Sequence, residues 1–225
     1  MSVRRFRRRP AARPDELIAA ALLVFGERGF RATTLEEVAA RAGVSKGTVY
    51  LYFDSKDDLF RAVVEAKVVT LLASVEAMAR AHAGTATELL HQVIQRLWEA
   101  MSRTDMVCMA RLVQSELAHF PEVKRFYFEQ VIQRHRRLLR KIAIRGVASG
   151  EFRPDATVIV PRMVPSLVLQ LNQNRFLFGD LDRGAPAPDV LCTALQALVM
   201  QGIAKPSRVR TAGAKRPAHV KGRGR

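Results

Sequence analysis

Apolar residues recur along this chain at spacings of three and four, the repeat of a helix with one buried stripe. No segment alternates in the manner of a strand. Leu17, Ile18, Ala21, Leu22 and Phe25 make the first stripe. It opens at Pro14, Asp15 and Glu16, because proline suits a first helical turn and carboxylates suit the positive end of the dipole. "GERGF" ends it, with Gly26 or Gly29 able to take a left-handed cap. A second helix lies in "TTLEEVAARAG". Thr34 and Glu37 are spaced as a capping box, Leu35, Val38, Ala39 and Ala42 form the apolar side, and Gly43 stops it. Ser45 caps a short third helix over 45–52. Ser55, with Asp58 three residues on, opens a long fourth helix through about residue 80, apolar at Leu59, Phe60, Val63, Val64, Val68, Leu71, Leu72 and Val75.

Further helices are predicted near 86–103, 105–119, 121–148, 155–179 and 187–203, separated at Gly84, Asp105, Pro121, "SGEFRPD" and "GDLDRGAPAP". Pro161 and Pro165 fall inside an otherwise helical pattern, so the eighth helix should kink or start late. The expected fold is all-α with about nine helices. A three-helix head spans 14–54 and a larger helical body 55–204, flanked by disordered basic segments at 1–13 and 205–225.

Charge sharpens this division. The net charge of +16 comes from 37 Lys and Arg against 21 Asp and Glu. Six Arg and no acid lie in residues 1–13, and eight Lys or Arg and no acid in 205–225. Removing those 14 leaves 23 cations against 21 acids, a body of +2. The near-neutral body is not a basic slab of the kind that coats nucleic acid indiscriminately, and its two tails are polycationic arms attached to it. No apolar signal region precedes Asp15, and no window approaches 18 uninterrupted apolar residues, so a cytoplasmic chain without a membrane span is expected. Cys108 and Cys192 read as two buried thiols. His82, His91, His119 and His135 are scattered without metal-ligand spacing. No nucleophile elbow, phosphate loop or dinucleotide glycine pattern is present. An enzyme, a metal and a cofactor are therefore not expected.

Two helices joined at a tight turn containing Gly43 form a helix-turn-helix, whose second helix lies in the major groove of DNA. This explains a short helix that exposes tyrosines and a small polar first turn. Ser45, Lys46, Gly47 and Thr48 let the backbone approach the groove floor, and Lys46 can reach a guanine edge or a phosphate. Val49 and Phe53 anchor the helix. The hydroxyls of Tyr50 and Tyr52, and Lys56 beyond them, can meet phosphate oxygens. Thr33 and Thr34, at the start of the second helix, are a candidate phosphate clamp.

Residues 33–64, "TTLEEVAARAGVSKGTVYLYFDSKDDLFRAVV", resemble the signature of the TetR family of bacterial transcriptional regulators. The likeness rests on Thr33, Thr34, Ala39, Ala42, Gly43, Val44, Ser45, Gly47, Thr48, Tyr50, Tyr52, Phe53, Lys56 and Leu59, with Val38 where the family often has Ile. The resemblance implies a homodimer formed by the eighth and ninth helices, a palindromic double-stranded operator, and a small-molecule pocket in the body. Repression relieved by ligand is the family's usual logic. Val158, Ile159, Val168, Leu169 and Leu171, with Leu191, Ala194, Leu195, Leu198 and Val199, supply apolar surface beyond what one body hides. For the pocket, Trp98, Met101, Met106, Met109, Leu112, Phe126, Tyr127 and Met163 are candidates, since Met adapts to irregular cavities. Gln170 and Asn174, in "QLNQNRFLF", could bond a ligand. A nonspecific or architectural nucleic-acid-binding protein that uses its basic tails is the alternative reading.

Deleting residues 1–12 should weaken operator binding and flatten its dependence on salt, because fewer phosphates are neutralised. Fluorescence anisotropy on duplex DNA across a salt series checks this, and an unaltered slope would show the arm to be idle.

Overall fold

A computed structural model describes residues 13–116, 118 and 120–205. The expectations placed on the arm at 1–12 and on residues 206–225 lie outside the described residues. In chain order the elements are α1 (Arg13–Ala32), α2 (Leu35–Ala42), α3 (Lys46–Tyr50), α4 (Lys56–Val64), a π turn (Glu65–Val69), α5 (Thr70–Ala81) and α6 (Ala86–Met101). They continue with α7 (Thr104–Glu116), α8 (Pro121–Tyr127), a second π turn (Phe128–Ile132), α9 (Gln133–Ala148), α10 (Ala156–Phe178) and α11 (Pro188–Ile203). Each π turn sits inside one continuous rod, so the described residues form nine helical rods and no strand. One isolated antiparallel bridge, Phe152 to Ala204, ties the loop before α10 to the end of α11.

The ends follow local chemistry with three departures from the sequence pattern. First, α1 continues past Gly29, which takes φ 79° and ψ 162°, and then bends into Phe30. A side chain at that position would be strained, which is why glycine serves the bend. Second, α3 covers only five residues, because Ser45 is the extended N-cap and Leu51 the C-cap. Third, α10 begins at Ala156 and carries both Pro161 and Pro165 in its interior rather than starting late.

Two apolar clusters hold the fold. The body cluster joins α5, α6, α9, α10 and α11 through residues such as Leu72, Leu90, Ile94, Trp98, Leu139, Val160, Val164 and Leu195. The head cluster joins Leu17, Phe25, Phe30, Val38, Val49, Phe53, Leu59 and Phe60, and it takes in Met106, Met109, Leu112, Val123 and Val131 from the body. Phe30 is its node, with ring centroids 5.3 Å from Phe25, 5.3 Å from Phe60 and 4.6 Å from Phe120. These tilted and edge-on pairs add to plain burial. Between α5 and α9, Arg134 donates to both carboxylate oxygens of Glu76 at 3.0 and 2.8 Å.

Glu151 locks the loop after α9 to the start of α6. Its carboxylate accepts from the Ala86 and Thr87 amides at 3.1 and 2.8 Å and from the Ser149 hydroxyl at 2.6 Å. Burial alone pushes its carboxyl up, but these hydrogen bonds outweigh that and bring it down to about 2. A carboxylate depressed on folding contributes stability above its unfolded value, and that contribution fades as pH falls toward the folded one. Glu151→Gln should therefore lower stability at neutral pH by about 1–2 kcal/mol. The gap to wild type should close as pH drops from 4.5 toward about 2, which thermal melts across that range check.

Candidate DNA interface and ligand chamber

The exposed face of the head is assembled by caps. The Thr34 hydroxyl accepts from the Glu37 amide at 3.3 Å, while the Glu37 carboxylate accepts from the Thr34 amide at 2.9 Å, a complete capping box. Gly43 closes α2 in the left-handed conformation, φ 67° and ψ 32°. Its amide bonds to the Ala39 and Ala40 carbonyls, and the Val44 amide returns to Ala39 at 3.0 Å. Ser45 then caps α3, its hydroxyl accepting from the Thr48 amide at 3.2 Å and lying 2.8 Å from the Thr48 hydroxyl. So short a helix is not stable alone. Buried Val49 and Phe53 pin it to the head core.

What remains of α3 faces out. Ser45, Lys46, Gly47 and Tyr50 are exposed, Thr48 is half-buried, and Leu51 and Tyr52 continue the same surface. Lys46 pairs with Glu36 of α2 and lies 5.7 Å from the Tyr50 ring centroid. The hydrogen bond between them holds the Glu36 carboxyl below its ordinary range and raises the Lys46 ammonium. Both groups are solvated, so the pair is weak and exchangeable. Thr34 lies on this surface too.

Two residues of the expected set are placed differently. Thr33 is 2% exposed, and its hydroxyl donates to the Gly29 carbonyl at 2.7 Å. The Lys56 ammonium donates to the Arg31 and Thr33 carbonyls at 3.0 and 2.9 Å and sits 4.8 Å from the Phe30 ring centroid. Both residues fasten the α1–α2 corner to the start of α4. Leu51, 82% exposed beside the two tyrosines, carries no motif signal beyond its place in the short helix.

In the body, a chamber of about 100 Å³ opens among α6, α7, α8, α9 and α10. Leu97 and Met101 line it from α6, and Met106, Met109 and Ala110 from α7. Tyr127 and His135 come from α8 and α9, and Pro165, Val168 and Leu169 from α10. Both π turns reach it, the first through Val68 and the second through Val131 and Ile132. Turns of this kind occur often at functional sites. Burial pushes the Tyr127 hydroxyl up to about 12. Burial also brings the His135 imidazole down to about 4, against the opposing pull of Glu76 and with help from Arg134.

Of the expected pocket residues, Met101, Met106, Met109 and Tyr127 line the chamber. Trp98 packs in the body core and Leu112 in the head core. Phe126 lies against the head core under the Arg61 guanidinium, 5.9 Å away. Met163 is 55% exposed, and Gln170 and Asn174 bond each other at 2.8 Å on an exposed face of α10. Between them Asn172 and Gln173 turn inward. Asn172 accepts from the Ser102 hydroxyl at 2.9 Å and from Arg175 at 3.1 Å, and Gln173 donates to Gln114 at 3.2 Å. His135, Val131 and Pro165 were missed. The four-residue spacing of Tyr127, Val131 and His135 on one helical face is the signal that could have found them. A wider cleft of about 320 Å³, rimmed by Arg80, Arg137, Lys141 and Arg145, opens to solvent beyond the Glu76 side of the body.

Residues 17–63 match the bacterial regulatory proteins of the tetR family, and residues 88–200 match the C-terminal domain of AefR-like transcriptional repressors. The HTH-type transcriptional repressor KstR2 of Mycolicibacterium smegmatis is 29% identical over 150 residues, 66% of this chain and 72% of that protein. The fatty acid metabolism regulator protein of Bacillus subtilis is 27% identical over 149 residues, 66% of this chain and 75% of that one. The crystal structure of FadR from Bacillus subtilis, in complex with stearoyl-CoA, superposes with a TM-score of 0.70 at 22% identity. That alignment covers 84% of this chain and 98% of FadR, and it shows a shared fold.

The angle between α2 and α3 depends on Gly43, where an added Cβ meets nothing within 4 Å but the backbone remains left-handed. Gly43→Ala should therefore cost about 1–2 kcal/mol through conformation alone. Gly43→Asn should cost less, since asparagine tolerates this region. Urea unfolding checks the order, and equal stability of all three proteins would contradict it.

Proposed function

Because this chain belongs to the TetR family of bacterial regulatory proteins, we propose that it is a dimeric transcriptional repressor. In this reading α3 reads a palindromic operator, and a small apolar or aromatic effector in the chamber releases the DNA. The observation that carries the DNA-binding part is the composition of α3: of its five residues only Val49 is buried. A helix that short, held by the anchors Val49 and Phe53 and by two caps, presents its first turn to something outside the head. Small residues at Gly47 and Thr48 allow close approach, Lys46 can exchange Glu36 for a base edge or phosphate, and the two tyrosines flank it for backbone contacts.

Dimerisation is supported by apolar side chains that one subunit leaves in solvent on α10 and α11 and the loop between them. Val158, Met163, Phe176, Phe178, Leu181 and Leu198 are all exposed. An isologous contact through this face pairs two heads, and in such dimers the recognition helices stand about 34–36 Å apart, one turn of DNA. Among the described residues no helix is long and apolar enough to cross a membrane, and no group of His, Cys, Asp or Glu could hold a metal ion. We place the protein in the cytoplasm with its DNA. The effector reading is supported by the apolar chamber wall and by the stearoyl-CoA bound to the similarly folded FadR.

The test compares duplex DNA from beside the protein's own gene with a scrambled duplex at matched salt. Specific binding should exceed nonspecific binding by about a thousandfold or more. Lys46→Ala should weaken only the specific mode, by about 1–3 kcal/mol, with an unchanged melting temperature. Equal affinity for the two duplexes would instead support nonspecific nucleic-acid binding.

A further inference from the structure

His135 is the polar residue that the chamber leaves unanswered. Its Nε2 is enclosed and has no hydrogen-bond partner among the described residues. Enclosed polar atoms are nearly always paired, so one on a residue that lines a cavity calls for a partner that enters it. A lone water is a poor candidate, since a stable buried water needs about two to four polar partners and this wall is chiefly apolar.

The surroundings also limit the charge of the partner. The charged groups that act on His135, Arg134 and Glu76, are closed on each other by two hydrogen bonds. A carboxylate or ammonium entering the chamber would lose its water without gaining a counter-ion. Enclosure keeps both His135 and Tyr127 uncharged near neutral pH. A hydroxyl meets these conditions because it both donates and accepts, and so suits either tautomer of the imidazole. Pro165 in the chamber wall has no amide hydrogen, so the Pro161 carbonyl lacks the helical donor it would otherwise have.

We propose that the effector is an uncharged, chiefly apolar small molecule carrying one hydroxyl, and that this hydroxyl is hydrogen-bonded to His135 Nε2. The inference rests on the chamber being the effector site, as put forward above. It adds what the chamber selects. His135 sets specificity, and Met101, Met106 and Met109 supply an adaptable apolar wall for the remainder of the molecule.

The test uses two probes of the same shape, 4-fluorophenol and 4-fluorotoluene, titrated into the full-length protein and followed by fluorine NMR. In His135→Phe the ratio of phenol to toluene affinity should fall about tenfold relative to wild type, the value of one hydrogen bond. The nitrogen resonance of Nε2 in the wild-type protein should shift on adding the phenol and not the toluene. That reading stands even if the phenylalanine variant fails to fold. Toluene bound with no phenol preference and no Nε2 shift overturns the role of His135 while leaving the chamber as a ligand site. A phenol preference that survives in a folded His135→Phe also overturns it. Binding of neither probe overturns the chamber reading itself, and this inference with it.

Discussion

The core of the head is continuous with the body. Phe30, just after the bend at Gly29, packs against Phe25 and Phe60 within the head and edge-on against Phe120 from the segment before α8. The same cluster draws in Met106, Met109 and Leu112 from α7 and Val131 from the second π turn. Met106, Met109 and Val131 are at once part of the head core and part of the chamber wall. Interiors packed at crystal density transmit displacement instead of absorbing it. Anything that spreads the chamber therefore presses on the surface against which α1 rests, and α1 carries the head.

The exposed face of α2 and α3 depends on that same arrangement. Lys56 holds the α1–α2 corner through the Arg31 and Thr33 carbonyls, and the Thr33 hydroxyl holds the end of α1. These bonds make α2 and α3 follow α1 as one piece. Lys46, proposed above to meet DNA, is paired with Glu36 through a solvated contact that DNA can replace at little cost. Firm backbone under exchangeable side chains suits the DNA-reading role proposed above.

Features set within a few residues were legible in the sequence. The capping box of Thr34 and Glu37, the Ser45 cap, the Gly43 turn and the anchors Val49 and Phe53 all follow from local patterns. Thr33 was not, because it and Thr34 are chemically alike and only the angle between α1 and α2 decides which is buried. Lys56 was read as a phosphate contact because its partners, the Arg31 and Thr33 carbonyls, lie more than 20 residues away. Neither π turn has a residue signature, yet both shape the chamber. In α10, five of the six residues from Gln170 to Arg175 are polar, and the packing of α6 and α7 against that helix selects Asn172 and Gln173 for burial. His135 looked like one of several scattered histidines until α8 and α9 placed it one face along from Tyr127.

The claim that most of this account depends on is the shared wall between chamber and head. It is tested by filling the chamber from within: Ala110→Leu adds three carbons at a position on α7 that lines it. Operator affinity of the dimer should fall by about fivefold to a hundredfold, the usual range of coupling between two sites, while circular dichroism and sedimentation remain those of the wild type. A folded Ala110→Leu dimer that binds its operator with undiminished affinity would contradict the account.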